Sequence, residues 1–129
     1  MLSPRLLIHL LALLAVGGQL LASEPALVAI GDLWRYDARG LPAEADWNQP
    51  GFDDTAWPED RSGFGRTTWG EVTLLPWTHR GSGTVLFRKA FQVPDPGTIR
   101  NLALLCDWQG GFVAYLNGQE CLRLSLIHI

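Results

Sequence analysis

The chain has 129 residues, which is enough for one domain. It carries 10 basic and 13 acidic residues, a net charge of −3. That charge gives no reason to expect nucleic acid or an anionic membrane surface as a partner.

The first 23 residues have the features of a secretory signal peptide. Arg5 supplies a short positive region, and the apolar run LLIHLLALLAVGGQLLAS ends in small residues. The alternative is a membrane anchor, but the run is short for a membrane span and Gly17-Gly18 interrupts it. We therefore expect a secreted or periplasmic protein that starts near Glu24 and keeps no stable membrane anchor after cleavage.

The rest of the chain has no long stretch with a helical period. Gly, Pro, Asp and Asn interrupt it about every 8 to 12 residues, a spacing typical of an all-β sandwich. Strands are expected within 27–38, 84–93, 98–108 and 112–123, and a short one around 72–75. The segment 46–60 is rich in turn residues. Asn117-Gly118, between two strand-like runs, is a strong hairpin signal.

The run TVLFRKAFQV shows the clearest alternation. Val85, Phe87, Phe91 and Val93 share one face, and Lys89 falls on that same apolar face. A β-bulge would redirect Lys89, or its stem would lie along the sheet rim with the amine in water. The later run TIRNLALLCDW is apolar on both faces, as expected for an inner strand of a sandwich.

Five segments occur in a suggestive order between residues 31 and 123: GDLWRY, DWNQPGFDDTAW, GFG, FRKAFQV and DWQGGFVAYLNGQE. Together they resemble the galactose-binding-like jelly-roll domains of secreted bacterial proteins. The N-terminal sugar-binding domain of family 2 glycoside hydrolases is similar. The resemblance implies a jelly-roll β-sandwich over 24–123. It also implies an accessory module, found beside glycosidases, esterases or metallophosphoesterases, with no catalytic residues of its own.

Two positions depart from that family. Cys121 stands where the family has an aliphatic residue. The family also continues through a further loop and a closing strand, whereas this chain ends in LSLIHI. We interpret 124–129 as a non-native tail and the domain as partial. The alternative is a natural C-terminal strand, because the tail has an acceptable alternation.

The two cysteines, Cys106 and Cys121, are predicted to lie on strands that flank 112–116. In a meander they would be roughly 9–10 Å apart, beyond the reach of a disulfide. A connection that crosses between sheets would let them meet. We favour the interpretation of both as small buried hydrophobic residues.

The sequence offers little for catalysis. It contains no H-x-H, H-E-x-x-H, C-x-x-C or G-x-S-x-G motif. Asp53 and Asp54 are candidate ligands of a structural calcium ion, because carboxylates on a loop suit Ca²⁺. The alternative is that they cap backbone N–H groups in a turn. No other cofactor is expected.

The chain has six tryptophans. Trp34, Trp47 and Trp57 are predicted to close the core or to fix the turn-rich segment, and Trp108 is also predicted to be structural. The other two, Trp69 and Trp77, lie in a glycine-bounded loop. An exposed indole can stack on the apolar face of a sugar while neighbouring polar groups bind its hydroxyls.

The candidate ligand-binding residues are therefore Trp69, Trp77, Arg66 and Arg80. The alternative is that these rings cover a small, loop-rich core. The sequence predicts a non-catalytic carbohydrate-binding or interaction module at the N-terminus of a larger secreted protein, such as a polymer-degrading hydrolase. The alternative function is a structural spacer that packs against a downstream catalytic domain.

Overall fold

A computed structural model describes residues 6–13, 15–16, 19–20, 26–40, 43–65, 73–75, 84–108 and 110–125. These residues form strands and turns, with a short 3₁₀ turn at Pro96–Thr98, so the predicted all-β class is confirmed. The strands are β1 (Leu6–Leu13), β2 (Ala15–Val16), β3 (Gln19–Leu20), β4 (Leu33–Asp37), β5 (Glu59–Arg61), β6 (Phe64–Gly65), β7 (Thr73–Leu74), β8 (Leu86–Arg88), β9 (Asn101–Trp108), β10 (Phe112–Leu116) and β11 (Gln119–Leu124).

Within the described ranges the strands form small sheets. One sheet has the order β7-β6-β1-β9 and another the order β5-β4-β8. The pairs β2-β3 and β10-β11 each stand as two-stranded sheets. The β6-β7 pair is parallel, and the other pairs are antiparallel.

The core lies between the sheet β5-β4-β8 and the β6-β7 end of the larger sheet. Ala38, Phe64 and Leu75 are buried there. The Phe64 ring lies 5.4 Å from the ring of Tyr36 on β4 and 4.8 Å from the ring of Phe87 on β8, between centroids. Aromatic side chains from both sheets therefore meet in one apolar layer, as in a sandwich.

The N-terminal segment takes part in the larger sheet. β1 pairs with β9 along its whole length, from Leu6 opposite Trp108 to Leu13 opposite Asn101. The signal peptide stays a prediction. Cleavage near residue 23 would remove β1, β2 and β3 and would leave β9 without this neighbour.

The hairpin is as predicted. Asn117 and Gly118 have φ values of 50° and 80°, and positive values at both central residues define a type I′ turn. The register shifts between Ala114 and Tyr115, so β11 carries an extra residue at a bulge.

Two other strand predictions need adjustment. β8 covers only Leu86–Arg88, although Val85 and Phe87 pack against the core as predicted. The amine of Lys89 lies at the exposed rim of the sheet, where it donates to the carbonyl of Leu33 at 2.9 Å. β9 is not an inner strand, because none of its residues is buried.

Candidate functional site

The four predicted ligand-binding residues, Trp69, Trp77, Arg66 and Arg80, lie outside the described residues. The hypothesis that they bind sugar therefore stays a prediction. The turn-rich segment 46–60 and the hairpin are described, and they hold aromatic and polar side chains of the kind that such a site needs.

Asp53 and Asp54 have different partners. The Asp53 carboxylate accepts hydrogen bonds from the hydroxyl of Thr55 at 2.7 Å and from its backbone N–H at 3.0 Å. These bonds lower the pKa of Asp53 and make it a turn cap. Asp54 instead accepts from Nε of Arg88 at 2.8 Å and lies 3.5 Å from Nε of Arg35.

This geometry disfavours the calcium hypothesis. A carboxylate already neutralised by two guanidinium groups is a poor ligand for Ca²⁺. In the part of the chain that the structure describes, no group of three or more histidine, cysteine or acidic residues could hold a metal ion.

Arg35, Asp54 and Arg88 form what we call the anchor cluster. Arg35 and Arg88 lie directly opposite each other on β4 and β8, and the Asp54 carboxylate binds both. Arg88 is 15% exposed, packs over the ring of Phe52 and donates to the backbone carbonyls of Trp47 and Gln49. Arg35 donates to the carbonyl of Trp57 at 3.0 Å. The cluster therefore fixes the turn-rich segment on the sheet β5-β4-β8.

Because Arg88 holds the two backbone carbonyls, it also sets where the side chains of Trp47 and Gln49 lie. The Trp47 ring packs edge-on against Tyr115 of β10, with 5.6 Å between ring centroids. The Gln49 amide lies over the hairpin turn. A Cβ atom at Gly118 would be only 2.6 Å from its Oε1 atom. The turn-rich segment is thus seated on the hairpin.

Two charged residues lie beside Tyr115 on the hairpin. Glu120 stands directly opposite Tyr115 across the β10-β11 pair. Arg123 binds both carboxylate oxygens of Glu120, at 2.8 and 2.7 Å. The bidentate hydrogen bond from Arg123 lowers the pKa of Glu120. The pKa of Arg123 is raised mainly by Glu120 and to a smaller extent by Tyr115. The side chains of Glu120 and Arg123 are 39% and 60% exposed, so both can reach a ligand.

We call Trp47, Gln49, Tyr115, Glu120 and Arg123 the loop–hairpin surface. Its chemistry combines two partly buried aromatic rings with an amide, a carboxylate and a guanidinium that are accessible to solvent. Such a set can stack on an apolar ring face and bind hydroxyl groups as donor and acceptor. It holds no activated nucleophile.

Sequence reasoning missed this surface, apart from assigning Trp47 a structural role. A signal was present, since an Asn-Gly turn places residues on the two strands opposite each other. Tyr115 and Glu120 could therefore have been paired from the sequence alone, while the contact with Trp47 could not.

The other described tryptophans fit structural roles in part. Trp57 is buried, and Trp34 packs against the core. The indole N–H of Trp34 is buried and finds no hydrogen-bond partner in the described residues. Trp108, by contrast, is 40% exposed and packs edge-on against Phe112.

The cysteines are free thiols. Cys106 is half-buried, and burial, with a contribution from Asp107, raises its pKa to about 11. Cys121 is exposed at the bulge and donates to the carbonyl of Ala114. The interpretation of both as buried hydrophobic residues is therefore wrong for Cys121.

No helix among the described residues is long and apolar enough to cross a membrane. Comparison with protein-family models, with curated proteins and with solved structures gave no match to this chain.

Proposed function

We propose that this chain is a non-catalytic carbohydrate-binding module. The loop–hairpin surface is the observation that carries the proposal. It combines the Trp47–Tyr115 ring pair with the exposed, geometrically fixed Glu120–Arg123 pair. The all-β scaffold and the ordered segments that resemble galactose-binding-like jelly-roll domains support the same function.

Binding on this surface would need no covalent step. A sugar ring would pack its C–H face against Trp47 or Tyr115. The Glu120 carboxylate would accept hydrogen bonds from hydroxyl groups, and the amide of Gln49 and the guanidinium of Arg123 would donate. Because Arg123 is already paired with Glu120, the surface favours neutral sugars over acidic ones.

The wider setting is part of the proposal. The signal-peptide features of residues 1–23 support export to the periplasm or the outside of the cell. The module would stand at the N-terminus of a larger secreted protein and would bring a downstream hydrolase to its polymer. The catalytic residues of that reaction would lie in the downstream domain.

The first experiment is a glycan-array screen of the purified full chain, followed by tryptophan fluorescence titration with the polysaccharides that score. We expect quenching or a spectral shift that saturates. Glu120→Gln, which keeps the shape of the side chain, should weaken binding by about tenfold, the effect of one lost charge-assisted hydrogen bond. Tyr115→Phe should lower affinity by a smaller factor.

Trp108→Ala is the matched control, because it removes an exposed indole outside the loop–hairpin surface. Its binding should equal that of the wild type. Trp69→Ala and Trp77→Ala test the residues chosen from the sequence. No saturable response to any glycan on the array would reject the proposal, and so would equal affinities of Glu120→Gln and wild type.

A second function has its own observation. On the hairpin face opposite Tyr115, the apolar side chains of Leu116 and Leu122 are each 38% exposed. An exposed apolar surface is typical of a spacer domain that packs against a neighbouring domain. A spacer predicts no glycan response, together with binding of a hydrophobic fluorescent dye that Leu116→Ser and Leu122→Ser would reduce.

A further inference from the structure

β9 has an unpaired outer edge. It is the end strand of the sheet β7-β6-β1-β9, and in the described ranges nothing pairs with the side that faces away from β1. Alternate backbone N–H and C=O groups along its eight residues therefore point outward. Such an edge is a template for pairing with another strand.

The edge also lacks the usual protection. Residues 101–108 contain no lysine and no proline, and the register against β1 runs without a bulge. Instead, Leu102 and Leu105 are 42% and 53% exposed. Native edge strands normally carry a lysine, a proline or a bulge to prevent pairing, and the one charge within β9, Asp107, lies next to the end of the strand.

We propose that β9 pairs antiparallel with β9 of a second copy of this chain, about a two-fold axis at Leu104. Opposite residues of an antiparallel pair both point their backbone groups either toward or away from the partner strand. Two copies that use the same edge must therefore pair even-numbered residues with even-numbered ones and odd-numbered residues with odd-numbered ones. The register centred on Leu104 meets this condition and pairs residues 101–107 of the two strands with each other.

The sequence of β9 is complementary to itself in this register. Arg100 lies opposite Trp108 of the second copy, where the guanidinium can stack on the exposed indole. The amide of Asn101 lies opposite the carboxylate of Asp107. Neither Arg100 nor Asp107 has an ion-pair partner in the described part of the chain.

The apolar residues also match. Leu102 lies opposite Cys106, and the exposed Leu105 lies opposite Ala103. Centring the pair on Ala103 instead would place Asn101 against Leu105, and centring it on Leu105 would place Asp107 against Ala103. Of these three registers, only the one centred on Leu104 gives both Asn101 and Asp107 a polar partner. The pairing joins the sheet β7-β6-β1-β9 of one copy to the same sheet of the second copy.

Cysteine cross-linking in the full chain tests this register. The substitutions Cys106→Ser and Cys121→Ser first remove the native thiols. In that background, Leu104→Cys places one thiol from each copy beside the two-fold axis. Directly opposite residues have Cβ atoms about 4.5–5.5 Å apart, a separation that small adjustments bring within reach of a disulfide. We expect mild oxidation to convert most of this variant to a covalent dimer.

Asn101→Cys in the same background is the control. Its two thiols would be six residues out of register, roughly 20 Å apart, and should not cross-link. Sedimentation equilibrium of the wild type should show a monomer–dimer equilibrium. Leu105→Lys should weaken it about tenfold, since it puts a charge on the edge of both copies. Leu116→Lys on the hairpin should not.

Three results would each overturn the proposal: a wild type that is monomeric at all concentrations, a dimer that Leu104→Cys fails to cross-link, or equal cross-linking at Asn101 and Leu104. The inference concerns the full chain, in which β1 pairs with β9, and it does not depend on sugar binding. A dimer that binds no glycan would reject the proposed function and leave this inference intact.

Discussion

A single charged side chain fixes the turn that follows β4. At the end of β4, the carboxylate of Asp37 accepts from the Arg39 backbone N–H at 3.0 Å and from its Nε at 2.8 Å. The Asp37 side chain is 11% exposed, whereas that of Arg39 is 61% exposed, so the pair lies at the protein surface. Hydrogen bonding to Arg39 lowers the pKa of Asp37 below its usual 3.8, although burial acts in the opposite sense.

The lowered pKa predicts a specific pH dependence. The stabilising effect of Asp37 should be complete above pH 3.8 and should be lost as the pH falls through the lower folded-state value. Urea unfolding midpoints of wild type and Asp37→Asn should therefore differ at pH 6 and converge as the pH drops below 3.8. Asp95→Asn, at an exposed carboxylate, is the control and should follow the wild type. A difference that is constant with pH would contradict this account.

Among the elements, the hairpin and its turn could be predicted, but not the bulge in β11, and its neighbours could be predicted only in part. A type I′ turn is a local signal, carried by Asn117 and Gly118 themselves. The length of β8 is not local, because a strand can extend only as far as its partner β4 pairs with it. The alternation that continues to Phe91 and Val93 contains no information about that partner. The same reason explains β9, whose apolar pattern does not say which neighbours cover it.

Gly118 gives a prediction at the scale of the hairpin. Gly118→Ala should destabilise the fold by about 1–2 kcal/mol, because an L-residue is strained at a φ of 80°. The Gln49 amide would also have to move, which is cheap for the end of a flexible side chain. Thermal unfolding measures the change. Gly51→Ala is the control, since a Cβ there meets nothing within 4 Å and φ is not positive.

The Gln49→Ala background separates the two effects. If strain at Gly118 dominates, Gly118→Ala should cost nearly the same with and without the Gln49 side chain. A cost that disappears in that background would show that the clash, and not the backbone, is responsible.

At the scale of the whole molecule, the anchor cluster joins parts that are far apart in sequence. Arg35, Asp54 and Arg88 come from three separate segments and meet over one sheet. No spacing rule in the sequence connects them, which is why Asp54 was interpreted as a calcium ligand or a cap. The fold class was predictable because turn spacing and alternation are spread along the chain. The loop–hairpin surface was not, because it depends on these long-range contacts.

Asp54→Asn should therefore loosen the turn-rich segment. Arg88 would keep its two carbonyl partners but lose its carboxylate, and a hydrogen bond to a charged group contributes about 1.5–3 kcal/mol. We expect a loss of about 2 kcal/mol in the free energy of unfolding, with faster hydrogen exchange across 47–57. Asp46→Asn, at an exposed residue of the same segment, is the control. Equal stability of the two variants would contradict the role of the cluster.

The pairing of β1 with β9 has a consequence for the time course of folding. The paired residues that are closest in sequence are Leu13 and Asn101. Most of the chain therefore lies between the two strands, in the loop that their pairing closes. The two-residue hairpin β10-β11 can form within about 1–10 μs, whereas pairings this distant in sequence form late. During that interval both edges of β9 are open. The strand that completes the larger sheet is thus the one that newly made chains expose to each other for longest.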